Sequence, residues 1–230
     1  MEFYDTSNPF VAADLRDRRR IRIYPSIKRF VETILALILL LLLSPLLLLF
    51  SAAIRLNSPG PVVFRQVRIG KDGKPFTFFK FRSMYSGIDS SAHLAFLRAF
   101  VKNDLPGVAD DQAIFKPIKS NQVTSVGRFL RRTSLDELPQ LINIIKGDMS
   151  FIGPRPNLPA EVEAYQNRHR RRLEALPGIT GLAQVKGRSS ISFDQIVQYD
   201  IEYVDNESLM LDLRILWQTV PVVLRGKGAR

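Results

Sequence analysis

Ile34-Leu35-Ala36-Leu37-Ile38-Leu39-Leu40-Leu41-Leu42-Leu43-Ser44-Pro45-Leu46-Leu47-Leu48-Leu49-Phe50-Ser51-Ala52-Ala53-Ile54 is a run of 21 residues, apolar except at Ser44, Pro45 and Ser51. By length it could cross a bilayer, which needs about 20 such residues. It does not read as a cleavable leader: it lies too far in, is too long, and has no small-residue cleavage site behind it. Ser44-Pro45 divides it into halves of about ten residues. Each half, as a helix, is about 15 Å long, roughly half a hydrocarbon core. Proline also removes a helical hydrogen bond and bends the chain. Both flanks are basic: Arg16, Arg18, Arg19, Arg20, Arg22, Lys28 and Arg29 precede the run, and Arg55, Arg65, Arg68, Lys71 and Lys74 follow it. An excess of Lys and Arg marks the cytoplasmic side. A segment that enters, turns at Ser44-Pro45 and leaves on the same face places both flanks correctly. A kinked single span satisfies only one. A buried soluble helix is the weakest reading, because no polar face is left.

The organisation that follows is a basic arm (1–24), a re-entrant membrane segment (25–56) and a cytoplasmic catalytic region with interfacial helices (57–230). The formal net charge is +11 over 230 residues, which implies an anionic partner: nucleic acid, acidic lipid or a phosphorylated substrate. The arm lacks the aromatic interleaving of single-strand binders and leads into a membrane segment, so lipid is favoured over nucleic acid. There is no cysteine and only His93 and His169, which excludes thiolate metal sites and argues against a histidine zinc site. Any metal should be a hard cation on carboxylate and phosphate oxygen, with Mg²⁺ the default.

Downstream, Val62 to Ile69 and Pro75 to Arg82 read as a hairpin, with Lys80 and Arg82 on one strand face as solvated charges or phosphate ligands. Ile88 to Lys102 reads as a helix and Leu105 to Asn121 as loop. Phe151 to Pro156 reads as a stiff loop in which two prolines restrict Arg155. Pro159 to Leu176 reads as one helix whose arginine run is a solvated face. Pro177 to Arg188 reads as a glycine-punctuated loop and strand with a basic tip. Ser192 with Gln195 opens a helix to Val204, and Ser208 to Leu224 is amphipathic. The fold class is α+β and mostly helical.

Arg128-Phe129-Leu130-Arg131-Arg132-Thr133-Ser134-Leu135-Asp136-Glu137-Leu138-Pro139-Gln140 sets two adjacent carboxylates behind three arginines. Ser134 with Glu137 reads as a capping box. Leu138, Leu141, Ile142 and Ile145 give that helix a buried face, and Gly147 ends it. Carboxylates among guanidinium groups at a helix start suit a transferring phosphoryl group: one can attack phosphorus and the other can hold a metal. The same residue types also suit a plain capped helix start. A membrane-anchored scaffold binding anionic lipid or nucleic acid, without chemistry, is the competing class.

Pro59-Gly60-Pro61, Lys80-Phe81-Arg82-Ser83-Met84, Arg131 through Gln140, Lys146-Gly147-Asp148-Met149-Ser150, Gly153-Pro154-Arg155-Pro156 and Pro177-Gly178-Ile179-Thr180-Gly181-Leu182 occur in that order. Over about residues 25 to 225 the chain resembles the bacterial sugar transferase family, the monotopic phosphoglycosyl transferases, in its compact catalytic form. The resemblance implies transfer of a sugar-1-phosphate from a UDP-sugar to a polyprenyl phosphate (undecaprenyl phosphate) at the cytoplasmic membrane face, opening polysaccharide or glycoconjugate assembly. It implies Asp136 as nucleophile, forming an aspartyl-phosphosugar and expelling UMP, and Glu137, with Asp136, as the Mg²⁺ carboxylates. Arg131 and Arg155 are assigned to phosphate; Lys80 and Arg82 are assigned more weakly, to substrate phosphate or to shaping the site. Gln184 and Arg188 are weak candidates for the donor. Ser44-Pro45 matches the break in the family's re-entrant helix. The sugar and the oligomeric state are left open.

Overall fold

The computed structural model describes residues 23–87, 91–102, 120–187 and 191–224. The apolar run becomes two helices, α1 (Ile23–Leu42) and α2 (Ser44–Asn57), bent by 61° where they meet. Pro45 stands in the first turn of α2, where its missing N–H leaves no bond unmade. The Ser44 hydroxyl donates to the Leu41 carbonyl at 2.7 Å, satisfying an acceptor at the broken end. Among the described residues no single helix is long and apolar enough to cross a membrane. Leu41, Leu42, Leu48 and Leu49, on either side of the bend, are 62–78 % exposed. The inner sides of the pair are packed. Ala36 meets Phe78, Leu141, Ile144 and Met149, and Phe50 and Ile54 meet Phe81 and Leu130.

Two residues of the expected basic flank are not free charges. Arg29 donates to the carbonyls of Ile144 and Ile145, the latter at 3.0 Å, and Lys28 is buried in a polar network. Helix α1 therefore starts inside the folded body, so its length is 20 residues rather than about ten.

The hairpin forms as read. β1 (Val63–Ile69) pairs antiparallel with β2 (Pro75–Phe81), in a register that sets Phe64 opposite Lys80 and Arg68 opposite Phe76. Next comes α3 (Ser91–Val101). Residues 88–90 of the expected helix and 105–119 of the expected loop lie outside the described residues.

Helix α4 (Ser125–Thr133) is capped by Thr124, whose Oγ1 accepts the Gly127 N–H at 2.9 Å. The capping box expected at Ser134 is not there. Ser134 has φ 58° and terminates α4, its N–H reaching the Arg131 carbonyl at 3.3 Å. An N-cap needs extended backbone, which a left-handed residue cannot supply. Leu135–Glu137 forms a 3₁₀ turn, and α5 (Gln140–Lys146) begins only afterwards. Its buried face consequently shifts: Leu141, Asn143 and Ile144 point inward, while Ile142 is 39 % exposed. Asn143 locks α5 to β2, its Nδ2 donating to Thr77 O (2.6 Å) and its Oδ1 accepting Phe79 N–H (3.1 Å). Gly147, at φ 93°, ends the helix as expected.

Phe151-Ile152, expected in a loop, belongs to β3 (Ser150–Ile152), parallel to β4 (Gly178–Thr180). A Cβ on Gly178 would lie 2.1 Å from the Gly153 nitrogen, so backbone contact itself requires glycine there. The single helix expected over Pro159–Leu176 is instead α6 (Pro159–Glu163), α7 (Asn167–Arg170) and a 3₁₀ turn at Arg171–Leu173. The interruption lets Tyr165 and Arg172 turn inward, so the arginine run is not wholly a solvated face. After β4, α8 (Leu182–Lys186) stands where strand was expected, followed by α9 (Phe193–Asp205) with its Ser192 and Gln195 cap. In α10 (Leu209–Leu224), Asp212 and Ile215 are buried, and Leu209, Leu213, Leu216, Trp217 and Val220 face outward.

Candidate active site

The 3₁₀ turn carrying Asp136 and Glu137 packs against β2 of the hairpin. Asp136 is 8 % exposed. Burial pushes its carboxyl above the ordinary range, and Lys80, Arg131, its own backbone N–H and Arg155 pull it part of the way back. A carboxylate that is buried and acted on by three cations is shielded from water until an electrophile arrives. Lys80 comes from β2, Arg131 from the last turn of α4, and Arg155 from the loop after β3. The turn, the strand, the end of α4 and the loop converge because Asn143 fixes α5 to β2 and the β3–β4 pair fixes the Arg155 loop.

Lys80 is itself perturbed. Burial lowers its ammonium to about 8, against the pull of Asp136, with Arg68, Arg131 and Arg155 pushing the same way as burial. Its Nζ lies 5.3 Å from the Phe64 ring centroid. Burial also lowers Arg131.

The structure thus brings together Asp136, Glu137, Arg131, Arg155 and Lys80. It does not bring Arg82. That side chain is 5 % exposed, with Nη1 on Pro59 O (2.9 Å) and Ser86 Oγ (3.3 Å) and Nη2 on Ser58 O (2.6 Å) and Ser58 Oγ (2.8 Å). Arg82 clamps the turn after α2, which fits the alternative of shaping the site rather than holding phosphate. Gln184 donates to Ile179 O at 3.0 Å, which ties α8 to β4. Arg188 lies outside the described residues.

Sequence reasoning missed Arg68, Phe78 and Gln140, which line an open cavity of about 220 Å³ with Glu137 and Arg155. The hairpin register held the signal: Arg68, Phe78 and Lys80 share one face once Phe64 is set opposite Lys80.

Among the described residues no group of three or more His, Asp or Glu could enclose a metal ion. Two adjacent carboxylates still fit Mg²⁺, which takes few protein ligands and completes its shell with substrate phosphate and water.

The bacterial sugar transferase family matches residues 23–226. The chain is 42% identical over 202 residues to the uncharacterized sugar transferase EpsL of Bacillus subtilis, covering 88% of this chain and 89% of that protein. It is 40% identical over 229 residues to the UDP-glucose:undecaprenyl-phosphate glucose-1-phosphate transferase of Caulobacter vibrioides, covering 96% and 74%. It is 40% identical over 203 residues to the undecaprenyl-phosphate galactose phosphotransferase of Salmonella typhimurium, covering 88% of this chain but 41% of that longer protein.

Proposed function

The chain belongs to the bacterial sugar transferase family, and from that premise we propose that it transfers a sugar-1-phosphate from a UDP-sugar to undecaprenyl phosphate and releases UMP. The observation that carries this reading is the buried Asp136 carboxylate, on which the positive charges of Lys80, Arg131 and Arg155 act. An Asp136 oxygen attacks the β-phosphorus of the donor. The bond from that phosphorus to the bridging oxygen breaks, its electron pair leaves with UMP, and an aspartyl-phosphosugar remains. A phosphate oxygen of the lipid acceptor then attacks the same phosphorus and restores the carboxylate. The covalent route lets one site serve a water-soluble donor and a lipid acceptor in turn, with ping-pong kinetics. Lys80, Arg131 and Arg155 neutralise the transferring group. Mg²⁺, held by Glu137 and Asp136, would offset diphosphate charge when bound.

The reaction is tested by screening UMP release across a panel of UDP-sugars with undecaprenyl phosphate. Digestion of protein trapped with radiolabelled donor should place label on the peptide containing Asp136. Absence of UMP release with every donor overturns the activity, and label on another peptide overturns the nucleophile.

Lys80 predicts a pH limit. Its ammonium, near 8, is charged at neutral pH and is lost as pH rises through that value. Free-enzyme kcat/KM should therefore decline above about pH 8. On the acid side it should decline as the Asp136 carboxyl, raised by burial, takes up its proton. Lys80→Arg should remove the basic limb and leave the acid limb. A basic limb unmoved by that change would exclude Lys80 as its source.

The exposed leucines around the 61° bend support membrane insertion as a re-entrant hairpin, with the catalytic region on the cytoplasmic face. The outward apolar face of α10, with Trp217 80 % exposed, suits the same interface. Because the chain has no cysteine, cysteines introduced at Tyr4 and Lys71 report topology without background. Both should be labelled only from the cytoplasm. Labelling of one from outside would mean a spanning helix.

A further inference from the structure

We propose that Arg68 binds the phosphate of the departing nucleotide, in a subsite beside Glu137 that is distinct from the one at Asp136. This rests on the reading above and adds to it the leaving-group side of the site. The cations that act on Asp136 are Lys80, Arg131 and Arg155. Arg68 instead lines an open cavity with Glu137 and Arg155, a lining that does not include Asp136, Lys80 or Arg131. Arg155 is common to both places, and Arg68 also acts on Lys80 through its charge. A diphosphate has the matching form: one phosphorus to be attacked at Asp136, and a second phosphate to be held as it leaves.

Arg68 is fixed for such a task. Its Nε donates to Gln66 Oε1 and its Nη1 to the Pro156 carbonyl, both at 3.1 Å, and its guanidinium lies 5.3 Å from the Phe78 ring centroid. Of the five guanidinium N–H donors, these contacts use two. The remaining donors belong to a side chain already held in place, so little rotamer entropy is lost on binding an anion. The Pro156 bond also ties Arg68 to the loop that carries Arg155. A second tie joins that loop to β1, from Ile69 N–H to Asn157 O at 2.8 Å. The cavity that Arg68 lines with Glu137, Gln140, Arg155, Phe78 and Ile179 measures about 220 Å³. Burial, with Arg155 adding to it, lowers the Arg68 guanidinium to about 10, a cost that a phosphate dianion would relieve.

In the first half-reaction the bridging oxygen, with the electron pair of the broken bond, would then remain on the phosphate held by Arg68. The second half-reaction involves no nucleotide and should not need it. The test uses the full chain in detergent, as wild type, Arg68→Gln and Arg68→Lys. UMP affinity is measured directly by calorimetry, and transfer of label from the isolated covalent intermediate to undecaprenyl phosphate is followed without UMP. Loss of one charge-assisted contact predicts UMP binding weakened about 10- to 100-fold in Arg68→Gln. Arg68→Lys should weaken it less, since charge is kept and the planar fork is lost. Acceptor transfer should stay within about twofold of wild type in both variants. Unchanged UMP affinity in Arg68→Gln would overturn the proposal. So would equal loss in both half-reactions with a lowered melting temperature, which would make Arg68 structural. Failure of the wild type to release UMP from any donor would instead strike the underlying reading.

Discussion

Asp136→Asn is expected to abolish UMP release while leaving the fold intact. Asparagine keeps the shape of the side chain but offers no anionic oxygen to phosphorus. Removing a catalytic nucleophile lowers turnover by roughly 10⁴- to 10⁶-fold, beyond any effect of altered binding. The stability outcome follows from the direction of the Asp136 shift. Its carboxyl is raised in the folded protein, chiefly by burial. Such a group contributes stability below its unfolded pKa and loses it as pH rises through the folded value. At neutral pH the ionised carboxylate is therefore a net burden on the fold, and a neutral isostere should leave the melting temperature equal or higher. Glu137→Gln should act differently: turnover falls and the Mg²⁺ titration moves to higher concentration. UMP release near the wild-type rate in Asp136→Asn would remove that residue from the mechanism. A metal titration unchanged in Glu137→Gln would remove the metal role.

The carboxylate pair and most of its cations were legible because they sit in short, dense motifs. The break in the apolar run was legible because proline acts locally, whatever surrounds it. Boundaries set by competition between neighbouring elements were not. Ser134 looks like an N-cap only if α4 is ignored; once α4 runs to Thr133, the same serine becomes its left-handed terminus. The arginine run after Pro159 looked solvated, yet Arg172 pairs with Asp200, at 3 % and 2 % side-chain exposure. No local pattern reveals a partner 28 positions away. Arg82 and Arg68 show the same limit from opposite sides. Both follow a strand pattern beside aromatics, but only the register and the Ser58–Pro59 turn decide which one faces the dyad.

Lys28→Met is expected to be among the most damaging single changes for stability. Lys28 was counted in the sequence as one of many flank charges, yet its Nζ lies 2.8 Å from Asp212 Oδ2, 3.2 Å from Glu207 Oε1, 2.6 Å from the Tyr203 hydroxyl and 3.0 Å from the Ile152 carbonyl. The Tyr203 hydroxyl in turn reaches Asp212 Oδ1 at 2.9 Å. One ammonium thus joins α1, β3, α9 and α10, and β3 leads within three residues to Arg155. Methionine fills similar space but leaves Asp212, 4 % exposed, without its counter-charge. Breaking a buried pair on one side costs about 3–5 kcal/mol. For a chain of this size that is roughly 6–20 °C in melting temperature. The exposed Arg98–Glu163 pair, at 56 % and 67 % side-chain exposure, is the control. Arg98→Met should cost at most about 1 kcal/mol, because water already solvates both partners. In detergent, Lys28→Met should therefore melt well below both the control and the wild type. Adding Asp212→Asn should recover part of the loss, since the stranded carboxylate is then gone. Equal melting temperatures for Lys28→Met and Arg98→Met would mean that water reaches the network and that α1 is not held to the catalytic body by charge.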